Sequence, residues 1–356
     1  MISNIDSIFF SLDIKNYDHN NKELLQFLEI EKEESKEDRL KENIINVGDR
    51  KFIILPNGAR FHAYILHNES IEIKLSQARS RSKNNYPVSV RIKSLLLWEK
   101  GFIQAYLDTI DYIKTIIQGD IIAEKISRAD LCCHTDKLKF DNMLDIYENW
   151  RGTFRKVEHY FYNRELNGLT FGSFNDKNVM CRIYDKSLEI KSSGKSWFND
   201  IWIESKMDID NVWNVEFQVG RKYFKDYNIE TVQDFIINMR GIWEHLTKTW
   251  ITYINMDDSN ISRCTTKESW LDIQNSYLDY CNYKPIKREK QVNKNAQNLI
   301  PLLVGVFTSY GACKQKIVLD KVIDDFKKDI DKYLYDKKDN VPIEKLFYDK
   351  LEYIYS

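Results

Sequence analysis

The stretch CRIYDKSLE, residues 181–189, places charged and phenolic side chains on one face of a predicted strand. Side chains alternate along a strand, so Arg182, Tyr184 and Lys186 point the same way. Two cations and a phenol make a poor core surface. Arginine and lysine can neutralise charge on phosphate oxygens, and a tyrosine hydroxyl can act as a nucleophile that forms a phosphotyrosine. The spacing therefore favours a row that faces phosphate, with Tyr184 as its candidate nucleophile.

Two further predicted strands carry side chains that suit the same chemistry. In ISRADLCCHTD, residues 126–136, Asp130 and His134 share a face, and in VWNVEFQVG, residues 212–220, Glu216 lies opposite the apolar face. If the polar faces of the three strands coincide, Asp130, Glu216 and His134 become candidate ligands for Mg²⁺ or Mn²⁺. Such an ion polarises a phosphoryl oxygen, so the patch suits phosphodiester chemistry.

Each of these residues also has a structural interpretation. A polar strand face is most often a solvated sheet surface, and Asp130 can simply pair with Arg128 or Lys125. A single histidine such as His134 is more often structural than a metal ligand. From the residues alone, the chain is an α+β protein with a candidate metal–phosphate site.

The elements that position these residues follow the same order twice. Hairpin, strand and helix recur in both halves, and the predicted first-half strands lie at 6–14, 51–55, 60–67, 71–76 and 88–94, with a helix over 101–117. The second half has a hairpin within 168–187, a strand at 212–220 and a helix from Thr231 to about Tyr253. We therefore expect an α+β fold, a curved antiparallel sheet built from two similar halves and backed by helices.

The composition shifts after residue 255. A polar linker is followed by sequence with a helical pattern. The predicted domains are therefore 1–255, with pseudo-repeats over 1–120 and 121–255, and a helical C-terminal domain over 256–356.

The charge of the chain limits which partners it can bind, and its cysteine usage indicates its compartment. The chain of 356 residues has 53 basic and 54 acidic side chains, so contacts to nucleic acid would need local basic patches. Candidate DNA contacts lie in a loop over 78–86 and in a basic run over 283–294: Arg79, Arg81, Lys83, Lys284, Lys287, Arg288 and Lys290. No apolar run approaches the roughly 20 residues needed to span a membrane, and no secretory signal or C-x-x-C pair occurs. These features predict a cytoplasmic protein with reduced thiols and no membrane partner.

The three polar strands together resemble the rolling-circle replication initiator family of plasmids, filamentous phages and integrative conjugative elements. The motifs are ISRAD, RIYDK and VEFQV leading into a helix, and the resemblance covers roughly residues 50–245. It implies a metal-dependent enzyme that nicks and rejoins one DNA strand at a replication or transfer origin through a covalent 5′-phosphotyrosine. It also implies single-stranded or cruciform origin DNA, a host helicase and a second copy of the chain as partners.

Two positions depart from the family pattern. Asn214 stands where relatives often carry an arginine, and His134 displaces an acidic residue. Some relatives carry a tyrosine in the strand before R-I-Y, where this chain has Phe171, so Tyr160 and Tyr162 are reserve candidates for the nucleophile. The alternatives to nicking and joining are an origin-binding relative that does not cleave DNA, and a metal-dependent nuclease that uses water.

Overall fold

The computed structural model describes residues 1–37, 43–79, 85–140, 142–277, 286, 300–337 and 341–355. Within them the strands are β1 (Ile2–Ile14), β2 (Ile44–Val47), β3 (Arg50–Ile54), β4 (Tyr64–His67), β5 (Ile71–Leu75), β6 (Val88–Ile92), β7 (Ile121–Thr135), β8 (Trp150–Gly152), β9 (Val157–Tyr162), β10 (Glu165–Ser173), β11 (Val179–Asp185), β12 (Trp213–Gly220) and β13 (Ile251–Tyr253).

The helices are described for the same residues. They are α1 (Tyr17–Asn20), α2 (Lys22–Glu37), α3 (Ser94–Lys100), α4 (Phe102–Ile116), α5 (Met143–Tyr147), α6 (Phe174–Lys177), α7 (Lys186–Ser193), α8 (Phe198–Glu204), α9 (Arg221–Asp226), α10 (Val232–Glu244), α11 (Glu268–Gln274), α12 (Ile300–Cys313), α13 (Leu319–Lys337) and α14 (Ile343–Tyr355). None of the described helices is long and apolar enough to cross a membrane.

One antiparallel sheet organises the first part of the chain. Its strand order is β2-β3-β4-β5-β6-β1-β7-β12-β11-β10-β9, with β1 and β7 paired at the centre. Outward from the centre, β1, β6, β5, β4 and β3 on one side mirror β7, β12, β11, β10 and β9 on the other. The expected antiparallel α+β sheet with two similarly ordered halves is confirmed.

The alternation of apolar residues fixes which face of the sheet is buried in the core. On β12, Val215, Phe217 and Val219 are buried in the main hydrophobic core, as are Cys181 and Ile183 of β11. A one-residue slip would place these side chains on the opposite face, so their burial specifies the register. The other face, which carries the polar residues of β11 and β12, is called the polar face below.

The second-half helix begins as predicted but ends earlier. Thr231 accepts a hydrogen bond from the Asp234 amide, and Asp234 accepts one from the Thr231 amide, a capping box that begins α10. The chain then forms a π-helix over His245–Trp250 and continues as β13, which pairs with β8. The predicted helix to Tyr253 is therefore wrong at its end, because pairing with β8 draws the last residues into a strand.

The chain divides into two compact units, Met1–Glu289 and Lys290–Ser356. Residues just after 255 pack within the first unit: Trp270 Nε1 donates to the Thr247 carbonyl at 2.9 Å, and the Tyr277 hydroxyl donates to the Asn4 carbonyl. The second unit holds α12, α13 and α14, with Phe307 of α12 edge-on to Phe326 of α13. The helical C-terminal region is confirmed, while the structural division lies after residue 289.

Candidate functional site

The sheet register brings the three predicted polar strands side by side. Arg182 of β11 pairs with Glu216 of β12, which pairs with Cys132 of β7. One row along, Tyr184 pairs with Asn214. These positions share the polar face, as the sequence alternation requires if the strands are adjacent.

A cleft of 510 Å³ opens over this part of the polar face. Three carboxylate and three cationic side chains contribute to its lining: Asp6, Glu189, Glu216, Arg182, Lys186 and Lys195. Tyr184 and Tyr160 also line it. The cleft therefore combines hydroxyl, carboxylate and cationic groups, a set that suits the handling of a phosphodiester.

Glu216 is the hub of a hydrogen-bond network. Arg182 forms an ion pair with one carboxylate oxygen, and the other accepts from the Tyr184 hydroxyl at 3.0 Å and from Asn214 Nδ2 at 3.3 Å. Burial raises the pKa of Glu216, and the neighbouring Asp6 raises it further. Asn214, which departs from the family pattern, thus occupies a donor position in the network.

The Tyr184 hydroxyl is enclosed by polar partners. It accepts hydrogen bonds from Asn214 Nδ2 at 2.9 Å and from Lys186 Nζ at 3.4 Å, in addition to its donation to Glu216. Burial raises the pKa of Tyr184 well above its ordinary value, and the Glu216 carboxylate raises it further. The hydroxyl is held in its neutral form, so its role as nucleophile stays a prediction.

Lys186 reaches the network from a helix. The strand ends at Asp185, whose side chain accepts from the Leu188 amide at 2.8 Å and caps α7, so Lys186 begins that helix. Its ammonium pairs with Glu189 at 2.6 Å and lies 4.9 Å from the centre of the Phe198 ring. Lys186 was predicted in the strand and instead begins a helix, so that prediction is wrong. Its ammonium group nevertheless lies beside the Tyr184 hydroxyl.

Both carboxylate oxygens of Asp130 accept hydrogen bonds from neighbours on the polar face. Arg128 donates from Nε and Nη2 to its two oxygens at 2.8 and 2.7 Å, and Ser7 Oγ donates at 2.6 Å. Asp130 therefore pairs with Arg128, which is the structural alternative to metal binding that the sequence analysis named.

His134 lies outside the cleft lining, within an aromatic cluster. Its ring stacks on Trp98 with centroids 4.7 Å apart, and its Nδ1 accepts from Trp202 Nε1 at 3.1 Å. Burial lowers the pKa of His134 well below its ordinary value. Four residues of strand place it roughly 13 Å from Asp130 along β7, too far for the two to share one ion. Its prediction as a metal ligand is therefore unsupported by its position.

The donor set does not fit a resident divalent ion in this arrangement. Among the described residues, no three histidine, cysteine or acidic side chains group as metal ligands would. Asp130 and Glu216 each have both oxygens engaged by donors of the chain, and arginines supply the opposing charge.

Asp6, Tyr160 and Gly168 are among the cleft-lining residues that lie outside the strand motifs. Asp6 of β1 accepts a hydrogen bond from Ser94 Oγ at 2.8 Å and borders the cleft from the sheet centre. Tyr160 and Gly168 border it from β9 and β10, where they are register partners. The acidic interruption of an apolar strand signals Asp6 in the sequence, whereas Gly168 carries no comparable signal.

Of the cations predicted to contact DNA, the structure describes Arg79. Arg79 is bound to Asp13, to which its Nε and Nη2 donate at 2.9 and 2.6 Å. The remaining nominated cations lie outside the described residues: Arg81, Lys83, Lys284, Lys287, Arg288 and Lys290. The polar face carries two other cations, Arg91 and Arg128, whose guanidinium groups each lie 4.9 Å from the centre of the Phe9 ring.

Comparison with known proteins finds similarity among solved structures. No model of a known protein family matches the chain, and no curated protein is similar in sequence. The solved structure of the rolling circle replication initiator protein from Geobacillus stearothermophilus is similar with a TM-score of 0.46 and 14% sequence identity. The match covers 80% of this chain and 99% of that chain. A similarity of this size does not assign a function.

Proposed function

We propose that this protein nicks and rejoins one DNA strand at a replication or transfer origin, through a 5′-phosphotyrosine, and so initiates rolling-circle replication. Two lines support the proposal: the resemblance of its three motifs to replication initiators, and the arrangement of those motifs in space. The carrying observation is that Arg182 and Tyr184 of one motif meet Glu216 of another at one cleft on the polar face.

The cleft has the groups that such a reaction needs. A scissile phosphodiester over Gly168 would lie between tyrosine side chains, with Arg182 and Lys195 at the lining to oppose the charge of the phosphate. Attack by a tyrosine oxygen forms a phosphotyrosine and releases a 3′ hydroxyl. The same steps in reverse rejoin the strand.

We propose that the DNA strand continues from the cleft along the polar face toward the first half of the sheet. Arg91 and Arg128 flank the partly buried Phe9 ring there, so cations and an aromatic edge alternate along the path. Phosphate contacts by such cations position a nucleic acid without reading its bases. The requirement for Mg²⁺ or Mn²⁺, the host helicase and the dimer stay predictions of the resemblance.

An origin-binding relative that does not cleave DNA is the second candidate. The engagement of the Tyr184 hydroxyl by three polar partners favours it. The proposals differ in whether a tyrosine of the cleft attacks the phosphate.

One experiment separates the alternatives. Single-stranded oligonucleotides that tile the DNA flanking the coding sequence, labelled at the 3′ end, are incubated with the full chain and Mn²⁺ and run on a denaturing gel. A labelled covalent adduct supports nicking through phosphotyrosine, and free shortened DNA indicates a hydrolytic nuclease. Bound but intact DNA indicates the non-cleaving relative and contradicts the proposal.

A further inference from the structure

The geometry of the cleft points to Tyr160, on the edge strand β9, as the residue that attacks the DNA phosphate. We infer that Tyr184 instead holds Glu216 and Lys186 in place. This inference rests on the proposed function and names the nucleophile of that same site.

Tyr184 has the wrong surroundings for attack. Its hydroxyl donates to the buried Glu216 and accepts from Asn214 and Lys186, so bonding to phosphorus would remove the proton that it donates to Glu216. Loss of the donation leaves a buried carboxylate oxygen with one weaker donor, Asn214 at 3.3 Å. An unsatisfied buried charged group is destabilising, so the network holds Tyr184 in its resting position.

Tyr160 lies across the cleft floor from Tyr184. Gly168 of β10 pairs with Tyr160 on one side and with Tyr184 on the other, so the three form one row. Neighbouring strands are about 4.8 Å apart, which places the two tyrosine backbones roughly 10 Å from each other. Gly168 has no side chain, and the space above it is bounded by both tyrosines. A phosphodiester seated there contacts Tyr160 from the open side.

The Tyr160 hydroxyl is available to a ligand. The residue is 47% exposed, and among the described residues its hydroxyl bonds to Glu158 alone, at 3.0 Å. Glu158 pairs with Lys156 at 2.7 Å, and hydrogen bonding to Lys156 lowers the pKa of Glu158, so the carboxylate stays ionised at neutral pH. An ionised carboxylate can accept the phenol proton.

The step balances with the groups present. The Tyr160 oxygen bonds to phosphorus, its proton passes to Glu158, and the bond from phosphorus to the 3′ oxygen breaks. The 3′ oxygen takes up a proton from solvent water and leaves as a hydroxyl, and Arg182 opposes the charge on the phosphate during the exchange. No oxidant, reductant or further reactant is needed.

Tyr162 provides a matched control on the same strand. It is 58% exposed and pairs with Glu165 at the hairpin end, outside the cleft lining. Tyr160→Phe, Tyr162→Phe and Tyr184→Phe each remove a single hydroxyl. The three variants therefore make the same chemical change, and differences between them report the position of the lost hydroxyl.

The test uses the full chain and the 3′-labelled oligonucleotides that tile the flanking DNA. We expect Tyr160→Phe to form at least 100-fold less adduct than wild type, while its affinity for the same oligonucleotide stays within twofold. Tyr162→Phe should form as much adduct as wild type. Tyr184→Phe should still form the adduct. After nuclease and trypsin digestion, mass spectrometry should find the nucleotide on VEHYFYNR, which contains Tyr160 and Tyr162, and fragmentation should place it on Tyr160. It should not be on IYDK, which contains Tyr184.

The outcomes separate this inference from the function beneath it. An adduct on IYDK, or a wild-type rate in Tyr160→Phe, overturns the assignment of Tyr160 and leaves nicking established. A wild-type chain that makes no adduct with any oligonucleotide overturns the proposed function, and the assignment with it.

Discussion

Tyr184→Phe should destabilise the first unit, although it removes only one oxygen atom. The lost hydroxyl donates to the buried Glu216 carboxylate, which keeps Asn214 at 3.3 Å as the other donor to that oxygen. Hydrogen bonds to charged groups contribute about 1.5–3 kcal/mol, so we expect a loss of about 2 kcal/mol in the free energy of unfolding. The same change at the exposed Tyr160 should cost no more than about 0.5 kcal/mol.

Urea unfolding followed by circular dichroism measures both variants. With a denaturant slope of about 3 kcal/mol per molar, a loss of about 2 kcal/mol lowers the midpoint by roughly 0.7 M for Tyr184→Phe. Tyr160→Phe serves as the matched control and should keep the wild-type midpoint. Equal midpoints for wild type and Tyr184→Phe would refute the argument that this hydroxyl stabilises a buried carboxylate.

The remaining predictions concern charge. Because burial and then Asp6 raise the pKa of Glu216 above its usual 4.5, its contribution to folding is greatest below that pH and is lost as the pH rises through the folded pKa. The stability of wild type relative to Glu216→Gln should therefore fall as the pH rises above 4.5, and a rise would contradict the burial argument. Arg91→Gln should flatten the plot of log affinity for single-stranded DNA against log salt by about 0.7, whereas an unchanged slope would remove Arg91 from the DNA path. The resemblance predicts that excess chelator abolishes the adduct and that Mn²⁺ restores it, whereas the engaged oxygens of Asp130 and Glu216 predict an adduct that persists in chelator.

Alternation along the chain was sufficient to predict the central strands and their polar face. A strand has a side-chain period of two, so the apolar residues of VWNVEFQVG identify the core side and leave Glu216 on the other. The same rule placed Arg182 and Tyr184 together. Local patterns of this kind depend only on neighbours in the sequence, which is why they survive in the fold.

No alternation of apolar and polar residues marks the strand that carries Tyr160. Val157, Tyr160, Phe161 and Tyr162 are all exposed, so β9 lacks the alternation that marks a half-buried strand. Its extended form follows from hydrogen bonding to β10, a contact with the rest of the sheet. Sequence reasoning therefore kept Tyr160 only as a reserve candidate.

The sequence by itself determined which side chains share a face within each strand, and with that the α+β class and the groups offered for chemistry. Only the tertiary structure decided which partners these groups meet. Asp130 meets Ser7 of β1, His134 enters an aromatic cluster, and Tyr184 bonds to Glu216. Strand order and register set these meetings, and both depend on pairing between segments far apart in the chain.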